Sequence, residues 1–141
     1  CEDICREYKN DQVSVVFEDW LPFQELPKRI CRADICLGVF GTGAKAGRVI
    51  PNKVYQGLAC GKTVLTMSGE AYPVQVQENN VGITWVEPGS PEAIAAALSN
   101  LFAPANLAQT RSQIVPHQTY TQYFSNESIR LTLSTLLNGA T

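Results

Sequence analysis

Long apolar runs, a surplus of charge of either sign and a second histidine are all missing from this sequence of 141 residues. No stretch approaches the roughly 18 consecutive apolar residues that a membrane-crossing helix needs, so no transmembrane segment is expected. With 11 basic and 13 acidic residues the formal charge is -2. Such a chain has no global positive field, and no run of Lys or Arg interleaved with aromatics appears, which removes nucleic acid from the expected partners. The opening residues CEDICREYKND lack the basic start and apolar middle of an export signal. A cytoplasmic protein is therefore expected. The chain opens on Cys1 rather than Met, in a stretch of helical character, and reads as a segment of something longer.

The five cysteines, Cys1, Cys5, Cys31, Cys36 and Cys60, are odd in number and show no CxxC spacing or neighbouring histidine. No metal site is expected from that pattern. Cys36 and Cys60 lie in apolar runs and read as reduced, packing thiols, with redox chemistry the lesser reading. The single histidine, His117, sits in the tail and reads as a surface residue rather than a catalytic base.

What is present is an alternation. Four short apolar runs recur, VSVVF (13–17), DICLGVF (34–40), TVLTM (63–67) and ITWV (83–86). They are continuous rather than alternating, as suits strands buried on both faces of a parallel sheet. Helical patterns separate or succeed them: 23–32, 51–60, 72–78 and, most clearly, 91–102. In that last segment Ser90 can cap, Pro91 fits the first position and Glu92 favours the positive end. Ile94, Leu98, Leu101 and Phe102 then share one face. A polar tail ends in a further helix, with Ser125 as its cap and Ile129, Leu133, Leu136 and Leu137 at helical spacing. The expected fold is α/β, a Rossmann-like open, mainly parallel sheet of about four strands with flanking helices and a helical C-terminal tail, all in one domain.

Two glycine motifs carry the functional question. GLACGKT (57–63) looks like a phosphate loop, but it has three residues between its glycines where that loop needs four. It also runs from helix to strand, the wrong order, so Gly61 reads as a left-handed helix terminator. GVFGTGAKAGRVIP (38–51) comes after a strand and contains a formal GxGxxA match over Gly41–Ala46, which a dinucleotide site would use. Against that, Pro51 would interrupt the helix, and TVLTM ends without an acidic residue for ribose, Glu70 coming late. A plain surface loop is the third reading of this stretch.

A further reading joins the glycine turn to the residues after it, an extended RVI and then a helix opening at Pro51 with Asn52 and Lys53 in its first turn. Such a helix start faces the carboxyl edge of a parallel sheet, where ligands bind and free amides attract phosphate or sugar hydroxyls. Lys53 and Gln56 share a face. They are also compatible with the solvated side of a helix whose Val54, Leu58 and Ala59 point inward.

In order along the chain, VVFEDWLPFQELPKRICRADICLGVFGTGAKAGRVIPNKVYQGLACGKTVLT and GITWVEPGSPEAIAAALSNL resemble the C-terminal, donor-binding domain of the retaining GT-B glycosyltransferases of family four. The resemblance spans Val13 to Leu101, and Phe124 to Leu137 is similar to the family's last helix. It implies a nucleotide-sugar ligand, a UDP- or GDP-sugar, without other cofactor or metal, and an acceptor-binding domain supplied separately. The implied binding residues are Gly41, Thr42, Gly43, Arg48, Val49, Ile50, Pro51, Asn52, Lys53 and Gln56, with no catalytic residue in this chain. Family members place two glutamates, seven residues between them, where this sequence has Arg48 and Gln56. An amide can still bond a ribose diol but is a weaker acceptor than a carboxylate. The family's two preceding strand-helix units and its diphosphate-holding basic residues have no counterpart here. The chain alone is therefore expected to be inactive, and its unpaired sheet edges to be closed by direct pairing of VSVVF with DICLGVF or by dimerisation.

Overall fold

The computed structural model describes residues 14–79 and 82–138. Its elements run α1 (Leu26–Cys31), β1 (Ile35–Leu37), a 3-10 turn (Ala46–Arg48), α2 (Asn52–Ala59), β2 (Thr63–Met67), α3 (Val74–Glu78), β3 (Ile83–Val86), α4 (Pro91–Leu101), α5 (Leu107–Thr110) and α6 (Ile114–Thr119). A π-helical turn (Tyr120–Phe124) then leads into α7 (Asn126–Asn138). Among the described residues the sheet has three strands, all parallel, in the order β1-β2-β3. The α/β alternation expected from the sequence is there, and two strands match the apolar runs residue for residue.

The fourth expected strand is not. Val13 lies outside the described residues, and 14–17 belong to no ladder and are exposed. Val16 keeps 70% and Trp20 85% of their surface in water. An apolar, β-branched run becomes a strand only when a neighbour supplies its hydrogen bonds and a face covers its side chains. Among the described residues β1 is three residues long and pairs only with β2, so 14–17 find neither ladder nor cover there, and the expected direct pairing of the two runs is not seen.

The centre is β2. Each of its five residues is buried, because it is hydrogen-bonded on both sides and covered on both faces. α2 and α3 pack on one face of the sheet. There Val54 and Leu58 of α2, Val76 of α3 and Tyr72 meet Val64, Ile83 and Phe124 in one cluster. Gly57 lets α2 lie close: a Cβ at that position would be 3.0 Å from Val64 Cγ2 and 3.1 Å from Cys36 Cβ. At the amino end of β2, the Thr63 hydroxyl donates to the Thr110 carbonyl oxygen at 2.9 Å, and Thr110 Oγ1 donates to that of Leu101 at 2.8 Å. These bonds join α4 and α5 to the sheet.

The helix signals hold with shortened ends. α2 and α3 begin one residue after Pro51 and Pro73. Ser90 Oγ accepts from the Ala93 N–H at 3.1 Å, the cap expected for α4. Phe102 is the C-cap of α4 and is exposed rather than part of its inward stripe. α7 also forms, with Ser125 Oγ accepting from the Ser128 N–H at 3.1 Å. Its expected apolar stripe is not buried among the described residues: Ile129, Leu133, Leu136 and Leu137 are all exposed. Among the described residues no helix is long and apolar enough to cross a membrane.

Candidate functional site

Three loops leave the carboxyl ends of the parallel strands, and contacts at glycines draw them together. After β1, the Gly38 N–H donates to the Leu65 carbonyl at 2.8 Å and the Met67 N–H to that of Val39 at 3.0 Å, carrying the pairing past the strand. A Cβ on Gly38 would sit 2.3 Å from Thr66 Oγ1, so only glycine fits. The Thr66 hydroxyl bridges the Val39 backbone, accepting from its N–H at 3.2 Å and donating to its carbonyl at 3.3 Å. The loop after β3 joins through the Gly89 N–H, which donates to the Phe40 carbonyl oxygen at 2.7 Å. Gly89 also lies against Thr42. The loop after β2 joins at Gly69, where a Cβ would be 2.6 Å from the Gly47 carbonyl oxygen. Gln77 braces that loop, its Nε2 donating to the Tyr72 carbonyl oxygen at 2.9 Å.

On this frame sit the residues singled out in the sequence. Gly41, Thr42 and Gly43 are exposed at the tip of the first loop. The Ala46 N–H closes on the Gly43 carbonyl at 2.8 Å and the Arg48 N–H on that of Lys45 at 3.2 Å, giving the single 3-10 turn that ends in exposed Arg48. Val49 is extended (φ -136°, ψ 143°), Ile50 turns inward against the core, and Pro51 precedes the first helical residue. The structure thus carries the chain from the glycines to the α2 N-terminus through one turn and a short extended link.

Gly41 and Gly43 have ordinary backbone angles, and a Cβ on either would meet nothing within 4 Å. A dinucleotide fingerprint requires its glycines to make the tight turn into the helix itself. Here the helix starts at Asn52, beyond Pro51, so the GxGxxA match has the letters without the geometry.

α2 begins without a side-chain cap. Proline has no side-chain acceptor; its carbonyl oxygen takes the Val54 N–H at 2.9 Å, which leaves the Asn52 and Lys53 amides as the uncapped first-turn donors, on two exposed residues. Gln56 comes one turn on and is half-buried. Among the described residues, Lys45, Arg48 and Lys53 take part in no ion pair. Three exposed cations and the first amides of α2 therefore fall within one stretch, 45–53, that follows β1 and includes the positive end of the α2 dipole.

Tyr72 packs edge-on to Trp85 with ring centroids 4.9 Å apart, and Tyr55 edge-on to Phe124 at 5.2 Å. Burial pushes both phenols above the usual tyrosine range. Tyr72 Oη and Trp85 Nε1 are buried without a hydrogen-bond partner.

Sequence reasoning missed Gly69 and Gly89, the two residues that bring the neighbouring loops in. Their signal was present in SGEAYP and EPGSP, turn-forming stretches placed directly after strands. Two cavities among the described residues, of about 620 and 210 Å³, lie at the opposite, amino edge of the sheet. The described residues contain no group of three or more His, Cys, Asp or Glu placed to hold a metal ion. No protein-family model, characterised protein or solved structure matches this chain.

Proposed function

We propose that this chain is the donor-binding part of a glycosyltransferase of the retaining GT-B kind, acting on a UDP- or GDP-sugar in the cytoplasm. The observation that carries the reading is the uncapped α2 N-terminus at the carboxyl edge of a parallel sheet, flanked by Arg48 and Lys53. Open α/β sheets bind ligands at that edge, and helix-start amides with nearby cations suit a diphosphate.

In this reading the amides of Asn52 and Lys53 and the charges of Arg48 and Lys53 hold the diphosphate and stabilise the negative charge that grows on it as the sugar departs. Gly41, Thr42 and Gly43 offer backbone groups without side-chain obstruction. Val49, Ile50 and Pro51 set the distance between the turn and the helix. Gln56 bonds the ribose hydroxyls as a neutral partner, which makes donor binding weaker than a carboxylate would. The acceptor and the remaining catalytic group come from a separate N-terminal domain. This chain alone is expected to transfer no sugar above background.

Amide shifts during titration with UDP, GDP, UDP-glucose, GDP-mannose and NAD test the reading. UDP or GDP should move resonances from Arg48 to Gln56, and NAD should not. Shifts from NAD alone, centred on Gly41–Ala46, would favour a dinucleotide-dependent oxidoreductase module instead. Silence towards all five would favour a non-catalytic interaction domain, a reading that the exposed apolar residues of α7 and of 15–23 also support.

A further inference from the structure

The amino edge of the sheet gathers sulfur. Cys31 ends α1, Cys60 is the C-cap of α2, and Cys36 lies in β1. These elements meet because α2 packs on β1 and also touches α1. Cys31 and Cys60 line the same cavity of about 620 Å³, together with Gly61, Gln113, Ile114 and His117. Cys36 does not line it; its side chain packs against the apolar core. All three are free thiols. Cys31 is exposed and Cys60 half-buried.

The chain path fixes this placement. Gly61 adopts φ 69°, turning the backbone sharply after Cys60, and it lies so close to Gln113 that a Cβ would be 2.8 Å from Gln113 Cβ. That contact holds the start of α6 against the end of α2 and forms the cavity's wall. His117 Nδ1 lies 3.1 Å from the Ala59 carbonyl oxygen and ties the next turn of α6 to the same point.

We propose that Cys31 and Cys60 are a reversible dithiol site that small disulfides oxidise to an intramolecular disulfide, tying α1 to the end of α2. Exposed Cys31, as its thiolate, attacks one sulfur of the small disulfide. The S–S bond breaks, one thiolate leaves with the electron pair, and a mixed disulfide remains on Cys31. The Cys60 thiol then loses its proton to solvent and attacks Cys31 Sγ, expelling the second small thiolate. The protein has lost two electrons and two protons, and the small disulfide has become two thiols.

Burial, followed by the charge and hydrogen bonding of Cys31, pushes the Cys60 thiol up, and nearby Lys62 acts in the opposite direction. Cys60 thus serves as the resolving partner rather than the first nucleophile, since a thiolate is the reactive form.

The test uses the full chain carrying Cys1→Ser and Cys5→Ser, incubated with oxidised glutathione and digested with trypsin without reduction. Cleavage separates the cysteines into the peptides ICR (30–32), ADICLGVFGTGAK (33–45) and VYQGLACGK (54–62). The expected product is ICR linked to VYQGLACGK, with loss of two free thiols and recovery of both by dithiothreitol. Cys31→Ser, a change at an exposed position that leaves the core intact, should abolish the link. A link through Cys36, or a glutathione adduct that persists on Cys31 without resolving, would overturn the proposal.

Discussion

TVLTM and VSVVF are nearly interchangeable as sequence: five residues each, apolar and β-branched, without a charge. One is the most buried strand of the protein, and the described part of the other is exposed chain. The difference lies in what surrounds each. TVLTM has parallel partners on both sides and covered faces, whereas 14–17 have neither among the described residues. Strand propensity thus measures how well a residue suits a site on a sheet, and the rest of the fold decides whether the site exists.

The largest expected effect contrasts those two stretches directly. Leu65→Ala, in the fully buried centre of β2, should cost about 2–5 kcal/mol by urea denaturation. Val16→Ala should change stability by less than about 0.5 kcal/mol. Comparable losses would mean that 14–17 are packed in solution and would break the contrast.

Glycines give the same contrast on a smaller scale. Gly61→Ala forces a side chain into the left-handed region, at a cost of about 1–2 kcal/mol, before its crowding with Gln113 is added. Gly41→Ala, in open space at ordinary angles, should be neutral or slightly stabilising, within about 1 kcal/mol. Helix caps come next in size. Ser90→Ala removes the side-chain acceptor of α4 and should cost about 1 kcal/mol in thermal or urea unfolding. No such loss is available at α2, whose start has no side-chain cap.

The smallest effect comes from pH. Burial holds the Cys36 thiol above its ordinary range, so the unfolded chain releases that proton first. The associated stability is fully present below about pH 8.5 and declines as pH rises beyond it. Unfolding midpoints of the wild type and Cys36→Ala, compared across that window, should converge slightly with rising pH.

Much of the fold was legible because its signals are local. Ser90 before Pro91 and Glu92 marks a helix start, Gly61 after an apolar helix marks its end, and continuous apolar runs between helices mark parallel strands. The α2 start was legible for the same reason, since Pro51 fixes the backbone that precedes a helix. The fate of VSVVF and of the α7 stripe was not, because burial depends on a second surface that a local pattern cannot supply. The loops beside the candidate site were missed because Gly69 and Gly89 matter through what they touch. Gly47 and Thr42 lie far from them in sequence.

The hydrogen bond from the Gly89 N–H to the Phe40 carbonyl spans the end of β2 and joins the loops after β1 and β3. In terms of time rather than position, it couples two surface segments that would otherwise fluctuate independently. The Gly89 amide should exchange with solvent only when both loops open together, although the residue itself is exposed. Insertions at the tip around Thr42 would then be felt at the start of α4, on the far side of the sheet's centre.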